Sequence, residues 1–149
     1  MRVLLCLAFM FAAAISPNAS AQAKPEDAIH YRQSLFRVIV WNWMPMTAMS
    51  RGRIPFEAAS FAKHSARVAA LATQLHEGFP AGSDSGAETE AKAEIWTQSA
   101  DFASKVKRFE TESARLARIS KGGDEAAIKV QFAHVGNTCK ACHEKYKAD

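Results

Sequence analysis

Four runs of apolar residues spaced three, four or seven positions apart, divided by proline and glycine, restrict this chain to helices packed against helices. From about Glu26, the residues Ile29, Phe36, Ile39 and Trp43 recur on one helical face, which also carries Arg32. Pro45 lacks an N–H and crowds the preceding turn, so this helix is predicted to kink or end there, with Gly52 in the following loop. Pro55 is suited to open a second helix, along which Phe61, Val68, Leu71 and Leu75 share a side until Gly78-Phe79-Pro80 stops it. Pro80 to Gly86 reads as a loop. A third helix is predicted from about Glu90 to Ser120, carrying Ile95, Trp96, Phe102, Val106, Phe109, Leu116 and Ile119, and Gly122-Gly123 ends it. Asp124 is a good N-cap for a fourth, which holds Ile128, Phe132 and Val135 and runs almost to the end of the chain. No segment sustains two-residue alternation, so the expected architecture is all-α, an antiparallel four-helix bundle whose core is made of these stripes.

Length and composition agree with one such domain. The 149 residues are 48% hydrophobic and 23% charged with only 7 Gly and 5 Pro, which excludes a disordered or collagen-like chain. The 19 Lys and Arg against 15 Asp and Glu are scattered rather than blocked, so no nucleic-acid partner is expected. At the N-terminus, Arg2 precedes an apolar run from Val3 to Ile15, and Ala19-Ser20-Ala21 has the small-x-small form of a signal-peptidase site. That run falls short of the roughly 20 apolar residues of a membrane span. Residues 1–21 are therefore expected to be a cleaved secretory signal and 22–149 the bundle domain, exported to the periplasm without stable membrane insertion. Cys6 leaves with the signal, so Cys139 and Cys142 are the cysteines of the exported chain.

Those two belong to Cys139-Lys140-Ala141-Cys142-His143, the Cys-x-x-Cys-His attachment signature of a c-type haem. On a helix the three functional residues project from one side within a turn, so two thioethers could hold a porphyrin edge while the imidazole reaches the iron. Phe132 and Gly136 share that face, and Gly136 has no side chain to keep a macrocycle at a distance. Three other meanings compete. A dithiol redox centre would need a βαβ setting, a zinc site would need a further ligand, for which His134 is nearest, and a disulfide across so small a loop would stabilise little.

With Lys24-Pro25-Glu26-Asp27-Ala28 leading into Tyr31-Arg32-Gln33, with Glu94-Ile95-Trp96 and with the haem motif near the C-terminus, the whole exported chain resembles cytochrome c′. The resemblance implies one covalent haem c per chain on Cys139 and Cys142, a five-coordinate iron with His143 as its only protein ligand, and a homodimer. It also implies Arg32 and Gln33 near the haem propionates, Trp96 packed in the pocket, and NO and CO as ligands. Lys147, one turn after His143, matches a basic residue that this family keeps near the proximal ligand, though lysine lacks the planar fork of arginine. Tyr146 lies at the haem edge without an assigned role.

The sixth iron position decides between two functions. Low-spin relatives place a methionine on the first helix and carry electrons, but Glu26 to Val40 contains no Met, and Met44, Met46 and Met49 come too late. His30 is turned about 120° from Phe36, His64 and His76 are expected at the surface of the second helix, and His134 lies off the haem-facing stripe. Phe36 takes the distal position where the family commonly has leucine, and its larger ring is expected to restrict the pocket. The favoured expectation is a non-enzymatic gas binder that sequesters or transports NO. The alternative is an electron carrier donating to a periplasmic redox partner, and a peroxidase trails both.

Overall fold

A computed structural model describes residues 23–148, so the predicted signal peptide at 1–21 lies outside the described residues, as do Gln22 and Asp149. Helix α1 spans Pro25–Ser50 and α2 Ala58–Ala72. After a 3-10 turn at Leu75–Gly78 come the short α3 (Glu94–Thr97), then α4 (Ser99–Ser120) and α5 (Glu125–Tyr146). The four long helices form the expected bundle. Its antiparallel sense is visible in who meets whom: Arg32 near the start of α1 bonds Gly78 beyond the end of α2, and Asp101 at the start of α4 bonds Tyr146 at the end of α5. Among the described residues no helix is long and apolar enough to cross a membrane.

Local chemistry explains most of the boundaries. Pro25 occupies the first turn of α1 with Glu26 and Asp27, acidic residues at the positive end of the helix dipole. The Asp124 side chain caps α5, accepting from the N–H groups of Ala126 at 3.0 Å and Ala127 at 3.3 Å. The core closes around Phe61, which meets Phe132 edge-on at 5.5 Å, while Trp43 stacks on Phe132 at 4.0 Å.

Four expectations need correction. Of the two outcomes expected at Pro45, a kink or an end, the end is overturned: the helix continues to Ser50, because Met46 and Met49 beyond the proline are fully buried and Thr47 Oγ1 adds a bond to the Trp43 carbonyl. Helix α2 begins at Ala58 rather than at Pro55, and Leu75 belongs to the separate 3-10 turn. The third predicted helix is in fact α3 and α4 with a break at Gln98, and residues before it are extended. There Ala91 bridges Lys147 antiparallel, with Lys92 N–H donating to the Tyr146 carbonyl at 3.0 Å and Ala148 N–H to that of Glu90 at 2.7 Å. Backbone groups committed to the C-terminal segment cannot also close helical turns. The core stripe of α1, finally, runs through Ile29, Arg32, Leu35, Ile39, Asn42, Met46 and Met49, which leaves Phe36 beside the core at 37% exposure instead of within it.

The turn after α2 approaches α1 so closely that a Cβ on Gly78 would lie 2.6 Å from the Arg32 Cβ. Gly78→Ala is therefore expected to lower stability by about 1–3 kcal/mol through overpacking, measurable as a reduced urea midpoint at unchanged m-value.

Candidate haem site

Helices α1 and α5 touch where Trp43 stacks on Phe132, and further along the bundle a cavity of about 610 Å³ opens between them. From α1 come His30, Arg32, Gln33, Phe36 and Val40; from α5 come Cys142, His143, Tyr146 and Lys147; Phe79, Ile95 and Phe102 make much of the remaining wall. Its lining is mostly apolar with a few polar and charged side chains, the usual make-up of a small-molecule or cofactor site.

On α5, the motif residues fall on one side as their spacing requires. Cys139 and Cys142 are half-buried free thiols packed against the core. Burial pushes both thiols above the usual range, and the neighbouring Cys142 adds to the effect at Cys139. Neutral, buried thiols of this kind are not the activated thiolates of a dithiol oxidoreductase. Among the described residues no group of three His, Cys, Asp or Glu is placed to hold a metal ion, so His134 does not complete a zinc site. Partial burial and the nearby Lys147 push the His143 imidazole below its ordinary pKa, against a smaller opposing influence from Glu90. A neutral imidazole is the form that ligates iron.

Arg32 is 2% exposed. It donates to the Gly78 carbonyl and Ser83 Oγ, each at 3.1 Å, and to Thr89 Oγ1 at 2.9 Å, with its guanidinium 5.1 Å from the Phe79 ring centroid and 5.7 Å from that of Trp96. Desolvation lowers its pKa, with Asp84 opposing, yet an arginine remains charged. Gln33 donates to the Glu88 carbonyl at 2.9 Å. Trp96 stands behind Arg32, its indole N–H bonded to the Pro80 carbonyl at 3.0 Å, and it is Ile95 that faces the cavity. Gly136 lies beside Trp43, where an added Cβ would make an ordinary contact at 3.7 Å, so the polypeptide alone does not demand glycine there. Lys147 pairs with Glu90 at 3.0 Å across the cavity mouth.

Two histidines differ from expectation. His30 does reach the cavity rim, because the opening spans more of the α1 surface than one helical stripe. His64 is half-buried, its Nδ1 3.0 Å from Asn42 Oδ1, instead of lying free at the surface. Sequence reasoning missed Phe79 and Phe102 as cavity walls. An aromatic inside Gly78-Phe79-Pro80, where a solvated turn would carry none, was the available signal for the first; Phe102 looks like any core residue of α4.

The fold and site together define a helical bundle built to carry a covalently attached c-type haem. Comparison with known proteins makes the class particular: the family model for cytochrome c′ matches residues 27–147. Cytochrome c′ of Halomonas halodenitrificans is 40% identical over 85% of this chain and 100% of its own length. The structure of cytochrome c′ from Shewanella frigidimarina superposes with a TM-score of 0.82 at 48% identity, covering 85% of this chain and 98% of that one. A nitric oxide complex of a cytochrome c′ variant from Alcaligenes xylosoxidans does so with 0.78 at 31%, over 85% and 98%. The chain belongs to the cytochrome c′ family, and its cofactor is haem c.

At the end of the cavity, Tyr146 O–H donates to Asp101 Oδ2 at 2.5 Å and Lys145 Nζ donates to the same oxygen at 2.9 Å. These two bonds, the tyrosine's first, hold the Asp101 carboxyl below its usual pKa. A carboxyl lowered in the fold adds stability above its ordinary pKa of about 3.9, and that contribution disappears as pH falls through the folded value. The urea midpoint of the wild type is accordingly expected to exceed that of Asp101→Asn at pH 6, with the gap narrowing below about pH 4.

Proposed function

We propose that this protein is an exported, periplasmic haem protein that binds NO and CO, and sequesters or carries NO without turning it over. The observation that carries the reading is the α1 side of the cavity. Phe36 and Val40 face it there, and the three methionines of the following turns do not: Met46 and Met49 are core, and Met44 is 59% exposed. His30, six residues before Phe36, is about 9 Å away along the helix axis and at the rim. In the solved relatives, nitric oxide and carbon monoxide are the ligands of two Alcaligenes xylosoxidans cytochrome c′ variants.

In this reading Cys139 and Cys142 hold haem c by thioethers and His143 is the only protein ligand of the iron. Haem supplies an iron centre with one position free for a diatomic gas. The chain's own residues do the rest. Phe36 and Val40 would restrict the pocket to small ligands, and Gly136, three residues before Cys139, would put no side chain between α5 and a bound haem. Arg32, with Trp96 behind it, and Gln33 would hold the propionates, while Lys147, tethered to Glu90, would cover the side of His143. Ferrous protein is expected to show high-spin, five-coordinate bands that respond to CO, and Phe36→Ala to raise CO affinity by about tenfold, a step of ~1.4 kcal/mol. Low-spin six-coordinate bands in both oxidation states would instead support the electron-carrier reading.

A homodimer completes the proposal. Val38, Trp41 and Met44 are 47%, 75% and 59% exposed and recur every three residues on α1, an apolar strip that a monomer would leave in water. Two copies of the strip laid against each other form a self-complementary contact. Trp41→Asp, at an exposed position where folding tolerates charge, is expected to convert the dimer to monomer in sedimentation velocity.

A further inference from the structure

Tyr146 is a redox-capable group on the cavity wall that gas binding leaves idle. We propose that it supplies an electron to the haem site after a peroxide has oxidised that site, and that its phenolic proton passes to Asp101. The inference rests on Cys139, Cys142 and His143 holding haem as proposed above.

Three features of the geometry support it. Tyr146 is buried, lines the same cavity as Cys142 and His143, and follows His143 by one helical turn, so its ring and the site share one low-dielectric space. Its O–H already points at a base, Asp101 Oδ2 at 2.5 Å, and the Asp101 side chain is 46% exposed, which gives the proton a way to water. The Lys145 ammonium, 5.3 Å from the Tyr146 ring centroid, disfavours a positively charged ring, so electron loss has to be accompanied by proton loss. A phenol that has lost an electron is far more acidic than a carboxylic acid, so a carboxylate with a lowered pKa still accepts its proton.

The step balances as follows. A peroxide ROOH takes two electrons from the haem site and two protons from water to give ROH and water, leaving the haem site two electrons short. Tyr146 returns one of them; its O–H bond breaks, an O–H bond forms on Asp101, and a neutral phenoxyl radical remains. Other aromatic groups lack this arrangement. Tyr31, the second of the two tyrosines, bonds Glu77 at 3.0 Å but does not line the cavity. Trp96 donates to an amide carbonyl, a poor proton acceptor, and Trp43 is stacked on Phe132 with no hydrogen-bond partner for its indole N–H among the described residues.

The test is to mix ferric haem-loaded protein with hydrogen peroxide, freeze it within seconds for electron paramagnetic resonance, and map a nitroso spin-trap adduct by peptide mass spectrometry. The expected result is a tyrosyl signal with the adduct on the C-terminal peptide of α5, lost in Tyr146→Phe and retained in Tyr31→Phe. Asp101→Asn, which keeps the tyrosine and its packing, is expected to lower the radical yield about tenfold. A signal that survives Tyr146→Phe, a tryptophanyl signal, an undiminished yield in Asp101→Asn, or no protein radical in the wild type would each overturn the inference. A preparation with no haem absorption before peroxide is added would count against the haem-attachment reading instead.

Discussion

A buried guanidinium organises one end of this molecule. Arg32 has nearly no contact with water, and each of its terminal nitrogens finds an oxygen: the carbonyl of Gly78, the hydroxyl of Ser83 and the hydroxyl of Thr89. Leaving such a charge unpaired in the interior would cost several kcal/mol, so the connection between α2 and α3 must come to it. That connection places Phe79 against the guanidinium, next to Trp96 of α3, and delivers residues 90–92 to the C-terminal segment. The segment that Arg32 anchors thus carries Phe79 of the cavity wall, Glu90 at its mouth and the residues that pair with the end of α5.

Helix α1 serves three surroundings at once. One stripe, from Ile29 to Met49, is core; a second, with Phe36 and Val40, faces the cavity; a third, with Val38, Trp41 and Met44, faces outward. This threefold duty explains why its apolar residues are spread round the cylinder and why a single amphipathic face describes it poorly. It also explains the uninterrupted passage through Pro45, since packing on several sides outweighs the loss of one hydrogen bond.

Much of the architecture was legible in the residues, and so was the clustering of the motif's side chains on one helix. Spacing and helix punctuation identify four long helices, Asp124 caps the last of them, and Cys139, Cys142 and His143 share one side of it. The rest was not legible for a physical reason. Whether Phe36 joins the core or the cavity turns on a rotation of one residue about α1, and whether residues 90–92 stay helical depends on a backbone partner more than fifty positions away. Asp101 and Tyr146, 45 residues apart, carry no mutual signal at all until α4 and α5 lie antiparallel.

The division is thus between chemistry that is local and chemistry that is assembled. Residues within a turn of one another, as in Cys139-Lys140-Ala141-Cys142-His143, determine by themselves that two thiols and an imidazole share one face of α5, because a helix has only one geometry for positions three and four apart. The tertiary structure alone decided what surrounds that face: how far α1 and α5 splay, which aromatic rings wall the opening, and where Arg32 places its charge. These depend on the packing of whole helices, where many weak contacts between distant segments are weighed together and no single stretch of sequence holds the answer.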